Sequence, residues 1–194
     1  MKLQKLLSLT RQAIDEYGMI QENDKIAVGI SGGKDSLTLL YALSCLRKFY
    51  PHKFDIVAVT VDLGFDNLNL DGIRKFCKER DVEYHVIKTQ IAEVVFHIRE
   101  ESNPCSLCAK MRKGALNDAV KELGCNKVAY AHHKDDLLES MMMSFLFEGR
   151  IHTFAPATYL DRSGITVIRP LLFLYEGDVK GFVKEYQLPV VKSP

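Results

Sequence analysis

Two runs of the chain, Lys25-Ile26-Ala27-Val28-Gly29-Ile30 and Asp55-Ile56-Val57-Ala58-Val59-Thr60-Val61, are almost continuously apolar and rich in β-branched residues. A strand with one wet face alternates polar with apolar residues, whereas a strand covered on both faces does not. Glu83-Tyr84-His85-Val86-Ile87 and Lys127-Val128-Ala129-Tyr130-Ala131 read as two more strands. Helical periods lie between them, from Leu37 to Phe49, Leu70 to Arg80, Ile91 to Arg99, Ser106 to Leu123 and Leu137 to Phe147. Strand alternating with helix predicts an α/β fold, a parallel sheet with helices on both faces and the first two strands central. Ile165-Thr166-Val167-Ile168-Arg169-Pro170, followed by a helical period from Glu176 to Tyr186, adds a strand and brings the sheet to about five. An amphipathic helix within residues 1–20, with Leu3, Leu6, Leu7, Ala13, Ile14 and Tyr17 on one side, comes first. Packing or a homodimer contact would account for that face.

The 194 residues, 47% of them hydrophobic, suffice for one domain with a real core rather than two, so residues 1–194 are expected to form a single domain. No run approaches the roughly 18 apolar residues of a membrane span, and Met1-Lys2-Leu3-Gln4-Lys5 is amphipathic rather than a signal peptide. The expectation is a cytoplasmic protein with no membrane partner. Five cysteines with one close pair suit reduced thiols better than a disulfide framework. A net charge of +1 neither supports nor excludes a nucleic-acid partner.

In sheets of this kind the ligand sits outside the carboxyl ends of the strands, where the strand order reverses. Directly after the first strand come Ser31-Gly32-Gly33-Lys34-Asp35-Ser36, leading into a helix expected to begin near Ser36. Two glycines let the backbone turn its N–H groups onto phosphate oxygens, and the helix N-terminus adds about half a positive charge. Lys34 adds a full one, the serines can donate hydroxyls, and Asp35 can hold Mg²⁺ beside the phosphates. The spacing fits neither a Walker A loop, whose first glycine is replaced by Val28, nor the dinucleotide fingerprint, where Ser31 stands for the second glycine. A plain helix-capping turn is the bland alternative.

His132-His133-Lys134-Asp135-Asp136 follows the strand ending at Ala131 and opens the next helix. Acidic residues in a first turn can be simple caps, yet two adjacent carboxylates also suit Mg²⁺. His132 and Asp136 are the site candidates, with Asp135 replacing Asp136 if the helix is rotated. Met141-Met142-Met143 reads as packing. Cys105-Ser106-Leu107-Cys108, after Asn103-Pro104, sits at a helix start where thiolates are stabilised. Alone, the pair could be redox-active, structural or part of a metal site, because zinc would need four ligands. Cys45 and Cys77, on helices, read as core residues, while Cys125, after Gly124 at a helix end, is a weak candidate ligand. Lys110, Arg112, Lys113 and Lys121 make that helix basic, with Arg150 beyond the following one; a solvated face or an RNA contact would explain them.

Ser-Gly-Gly-Lys-Asp-Ser after a first strand resembles the pyrophosphate loop of the PP-loop ATP pyrophosphatases, which share the adenine nucleotide alpha hydrolase-like fold. With Asp62 and Gly64, Cys105 and Cys108, His132 to Asp136 and Ile168-Arg169-Pro170, the chain is similar along its length to the tRNA 2-thiocytidine synthetases. The resemblance implies cleavage of ATP between its α and β phosphates, adenylation of O2 of an anticodon-loop cytidine (position 32), and exchange of the adenylate for sulfur. Adenine would lie near Ile30, Ala131, Val61, Asp62 and Leu63, and pyrophosphate in the loop with Lys34, Asp35, Asp136 and Mg²⁺. It further implies a [4Fe-4S] cluster on three cysteines, two of them matched by Cys105 and Cys108, with one iron left to carry sulfur from a donor such as a cysteine desulfurase. The third ligand would follow the last strand, close to where this sequence stops at Val191-Lys192-Ser193-Pro194, so it is expected beyond Pro194 in a longer chain, or the cluster is incomplete. Arg112, and Lys113 beside it, would meet RNA or phosphate. The rivals are a 2-thiouridine synthetase, a tRNA-isoleucine lysidine synthetase, and a non-catalytic ATP-binding sensor.

Overall fold

The computed structural model describes residues 1–65, 69–95 and 104–191. Six strands, β1 (Asp24–Gly29), β2 (Phe54–Asp62), β3 (Glu83–Lys88), β4 (Lys127–Ala129), β5 (Ala157–Leu160) and β6 (Ile165–Ile168), form one sheet in the order β3-β2-β1-β4-β6-β5. Every pairing is parallel except β5 with β6. The helices are α1 (Leu3–Glu16), α2 (Lys34–Leu46), α3 (Asp71–Glu79), the short α4 (Ile91–Glu93), α5 (Pro104–Glu122), α6 (Lys134–Glu148) and α7 (Glu176–Tyr186). Of the helical period expected from Ile91 to Arg99, residues 96–99 lie outside the described residues.

The strand missing from the sequence reading is β5. Its four residues are too few to show a period, and the turn to β6 is closed by Ser163 and Gly164 N–H donating to the Leu160 carbonyl rather than by a two-residue hairpin signature. β1 and β2 are interior, as their apolar runs require: Val28 is aligned with Ala58 on one side and Ala129 on the other. The chain runs outward from β1 to β2 and β3, then returns to β4 on the opposite flank of β1. The reversal therefore falls between β1 and β4.

The continuous apolar runs still divide by face. Ile26, Val28, Ile56 and Ala58 pack with Leu6, Ile14, Leu40 and Phe182, from α1, α2 and α7. Ala27, Val57, Val59, Val128 and Val167 pack with Leu116, Ala119 and Val120 of α5. The apolar face of α1 is thus spent on packing inside the fold, with Leu6, Ala13 and Ile14 buried. Cys77 is buried and Cys45 half-buried, in keeping with core roles, and Cys125, the weak ligand candidate, is buried as well. The Met141–Met143 run does not pack as expected. Met142 and Met143 are exposed with Phe145, Leu146 and Phe147, and Ser144 is the one buried residue of α6, because its hydrogen bonds to the rest of the fold come from its first turn. No helix among the described residues is long and apolar enough to cross a membrane.

A polar knot clamps the amino ends of β1 and β4. The buried Asp24 carboxylate accepts from Gln21 N–H (2.6 Å) and Asn126 Nδ2 (2.7 Å) and pairs with the buried Lys127 Nζ at 2.6 Å. Lys127 also donates to the Met19 carbonyl at 2.9 Å. Removing one partner of a buried pair strands the other charge, so Asp24→Ala is expected to lower unfolding free energy by about 3–5 kcal/mol in urea titrations; a loss below about 1 kcal/mol would contradict the clamp.

Candidate active site

The carboxyl ends of β1, β2, β4 and β6 open into one cleft of about 650 Å³. From β1 it is lined by Ile30, Ser31, Gly32, Asp35 and Ser36, and from β2 by Thr60, Val61, Asp62 and Leu63. Tyr130, Ala131, His132, Asp136 and Arg169 form the opposite side, and Arg112, Lys113 and Leu116 of α5 close the edge. Nearly all the expected nucleotide-binding residues therefore share one space. Gly33 and Lys34 do not line it, nor do Cys105 and Cys108.

The loop after β1 is held by its own serines. Ser31 Oγ accepts from Gly33 N–H at 3.3 Å, and Ser36 Oγ accepts from Ser31 N–H at 3.3 Å while donating to the Gly33 carbonyl at 3.0 Å. Gly32 sits at φ +81°, and a Cβ there would come within 3.2 Å of Val191 Cβ. Val191 N–H donates to the Gly32 carbonyl at 3.0 Å, so the segment after α7 lies against the loop. Thr60 Oγ1 donates to the Ile30 carbonyl at 3.0 Å and accepts from Tyr84 OH at 2.8 Å, which fixes the end of β2 beside the loop. Beyond it, Gly64 at φ +87° cannot take a side chain, because a Cβ would meet the Thr89 carbonyl oxygen at 2.8 Å.

The helix after the loop starts at Lys34, two residues before the expected Ser36, with Gly33 as its N-cap. Lys34 and Asp35 consequently stand in the first turn. Lys34 Nζ pairs with Asp35 at 2.9 Å and with Glu176 of α7 at 3.1 Å. Burial opposes the lysine's charge, but the two carboxylates outweigh it and raise its pKa. Glu176, held by Lys180 and by Lys34, is drawn down to about 2.

α6 begins beside it. Its N-cap is His133, buried, whose Nδ1 accepts from Asp136 N–H at 3.4 Å while Asp136 accepts from His133 N–H at 2.7 Å, a reciprocal capping box. Capping and site placement thus coexist in Asp136, which lines the cleft. Asp135 has a different duty, accepting from Glu176 N–H at 2.7 Å and so tying α7 to α6. His133 Nε2 lies 3.7 Å from Asp35 Oδ1.

Four residues that line this cleft each carry a buried polar atom with no hydrogen-bond partner: Asp35 Oδ1, Tyr130 OH, His132 Nδ1 and Arg169 Nε. Orphaned buried groups are uncommon, and a cluster of them in one cleft is what a polar ligand would satisfy. Tyr130 and Arg169 were not singled out as site residues from sequence; the available signal was position, at the carboxyl ends of β4 and β6. His132 packs on Phe154 (centroids 4.8 Å apart), and its pKa is lowered, first by burial and then by the nearby Arg169. Burial likewise pushes the Tyr130 phenol up.

Pro104 opens α5, an N-terminal position where its missing N–H costs nothing. Cys105 and Cys108, exposed and half-buried free thiols, follow in the first two turns. Cys105, Cys108 and Arg112 recur at helical spacing on one side, which puts Cys108 about 6 Å along the axis from the cleft-lining Arg112. The pair supplies two of the ligands a cluster needs, one helical turn apart. Among the described residues no three His, Cys, Asp or Glu side chains are arranged to hold a metal by themselves. For Mg²⁺, Asp35 and Asp136 are the carboxylates that line the cleft, the remaining sites falling to phosphate and water.

A histidine whose folded pKa lies below its unfolded value stabilises the fold fully above the unfolded value near 6.5, and that contribution is lost as pH falls through the folded value. Between about pH 7.5 and about pH 5.5, wild-type protein should lose more stability than His132→Gln in parallel denaturation curves. Identical losses would remove His132 from the acid response.

Residues 3–193 match the PP-loop domain. The chain is 37% identical over 194 residues to the tRNA-cytidine(32) 2-sulfurtransferase of Geobacter sulfurreducens, covering 98% of this chain and 74% of the relative. In structure it is similar to the U34-tRNA thiolase NcsA from Methanococcus maripaludis with its [4Fe-4S] cluster, at a TM-score of 0.78 and 28% identity, covering 98% of this chain and 65% of that one. The NH3-dependent NAD synthetase of Campylobacter jejuni shares the fold at a TM-score of 0.60 and 20% identity, over 97% of this chain and 75% of that one. The chain belongs to the PP-loop family and, within it, to the branch of the tRNA-cytidine(32) 2-sulfurtransferases.

Proposed function

We propose that residues 1–194 form one ATP-binding domain of a tRNA thiolase, which adenylates an anticodon-loop cytidine and replaces its O2 with sulfur. The observation that carries this reading is the shared cleft, in which a phosphate-type loop faces a helix carrying the Cys105–Cys108 pair and a basic edge. In this reading ATP lies with adenine against Ile30 and Val61 to Leu63, and its β and γ phosphates against the N–H groups of Ser31 to Ser36. Lys34 exchanges Glu176 for phosphate when the nucleotide binds. Asp35 and Asp136 hold Mg²⁺, and exposed Arg112 and Lys113 take RNA phosphates.

The base oxygen forms a bond to the α-phosphorus as the bond from that phosphorus to the α–β bridging oxygen breaks, and the electron pair leaves with pyrophosphate. Backbone N–H donors and Lys34 stabilise that leaving group, each such donor being worth a factor of about 10² to 10³. Cys105 and Cys108 would supply two of the ligands of a [4Fe-4S] cluster, a group that when bound supplies a thiophilic iron for sulfide, and sulfide attacking the base carbon releases AMP with the old oxygen. A second reading, thiolation of a uridine, is favoured by the likeness to the U34-tRNA thiolase; the sequence relatives favour cytidine.

Lys34→Ala is expected to slow tRNA-dependent pyrophosphate release by about 10² or more. Pyrophosphate release at the wild-type rate in that variant would sink the loop assignment. Cys105→Ser should keep pyrophosphate release and lose thiolation. Nucleoside mass spectrometry of the tRNA reads both the loss and the base, and 2-thiocytidine from Cys105→Ser would remove the pair from the mechanism.

A further inference from the structure

Arg169 follows β6, two strands from the phosphate-type loop and therefore about 10 Å across the cleft from it. Its guanidinium is half-buried, and no carboxylate lies within ion-pair distance of it among the described residues. What holds it is neutral: Nη1 donates to the Ala155 carbonyl at 2.6 Å, and the group lies 4.8 Å from the Phe154 ring centroid. Nε has no partner. Holding a half-buried cation there without a counter-charge is unfavourable, and an incoming anion would offset that.

The other cations of the site are already disposed. Lys34 sits between Asp35 and Glu176, while Arg112 and Lys113 are exposed at the edge. Arg169 lines the same cleft, beside Tyr130 and His132. Tyr130 N–H donates to the Ile168 carbonyl at 3.0 Å, which sets the ends of β4 and β6 side by side.

We propose that Arg169 is a substrate-contacting residue that receives the α-phosphate of the nucleotide and stabilises the charge its non-bridging oxygens gain during adenylation. This rests on the α–β cleavage proposed above. The two ends of the triphosphate are then served by different cations, the leaving pyrophosphate by the loop and Lys34, and the phosphorus under attack by the planar fork of Arg169. Phe154 and Ala155 hold that fork in place before the nucleotide arrives.

Single-turnover pyrophosphate release at saturating Mg-ATP and tRNA, with AMP affinity and tRNA affinity at two salt concentrations, tests this in wild type, Arg169→Met and Arg169→Lys. Arg169→Met should be slower by about 10² or more and bind AMP more weakly, with tRNA affinity and salt slope unchanged. Arg169→Lys, which keeps the charge but loses the fork, should recover part of the rate. If Arg169→Met loses its fold by circular dichroism, Arg169→Lys decides: slowing of at least tenfold supports the assignment and a wild-type rate overturns it. A rate within about threefold of wild type in Arg169→Met, or a tRNA salt slope reduced by about 1 with the rate retained, would make Arg169 a structural or RNA-phosphate contact and overturn it. Wild type that releases no pyrophosphate would contradict α–β cleavage itself, whereas active wild type matched by both variants would contradict only the role of Arg169.

Discussion

Three helices, α2, α6 and α7, begin with their first-turn groups no more than 3.7 Å apart, where β1 and β4 part. Each start carries unsatisfied N–H groups and about half a positive charge, so three together would repel unless anions sat among them. The carboxylates supply this. Asp136 caps α6, Asp135 accepts from the first N–H of α7, and Asp35 and Glu176 share Lys34. The arrangement is suited to exchanging one anion for another. A phosphate arriving at the loop enters a place already organised around negative charge.

The position of this centre is decided at the other end of the sheet. Asp24, Asn126 and Lys127 join the amino ends of β1 and β4 through buried polar contacts, and register then carries the alignment to the carboxyl ends. The segment after α7 returns to the same place, its Val191 backbone bonded to Gly32 and Pro189 against Gly72. The phosphate-type loop is therefore fixed by its own serines, by Thr60 and Tyr84 from one side, and by the end of the described chain from the other.

Much of this was legible in the residues. Buried strands advertise themselves by uninterrupted apolar runs, and a Ser-Gly-Gly-Lys-Asp-Ser turn after the first of them pointed to the cleft, because in such sheets ligands sit past the strand ends. What escaped was set by tertiary contact. β5 exists because β6 offers it an edge, not because four residues favour extension. The partner of Lys34, Glu176, is 142 positions away along the chain, so no local pattern could reveal it. Tyr130 and Arg169 look like the tail of one strand and the start of a turn until the sheet sets them side by side and leaves the Tyr130 hydroxyl and Arg169 Nε unpaired. Met142 and Met143 misled in the opposite sense, since apolar composition alone does not say whether a helix face is covered.

The most direct test of the account is the fate of the phosphates. With ATP labelled at the α position, tRNA and a sulfide source, the account predicts one AMP and one pyrophosphate for each base thiolated, and none of either without tRNA. Release of ADP and inorganic phosphate instead would contradict it, because the loop would then be gripping a nucleotide cleaved at a different bond.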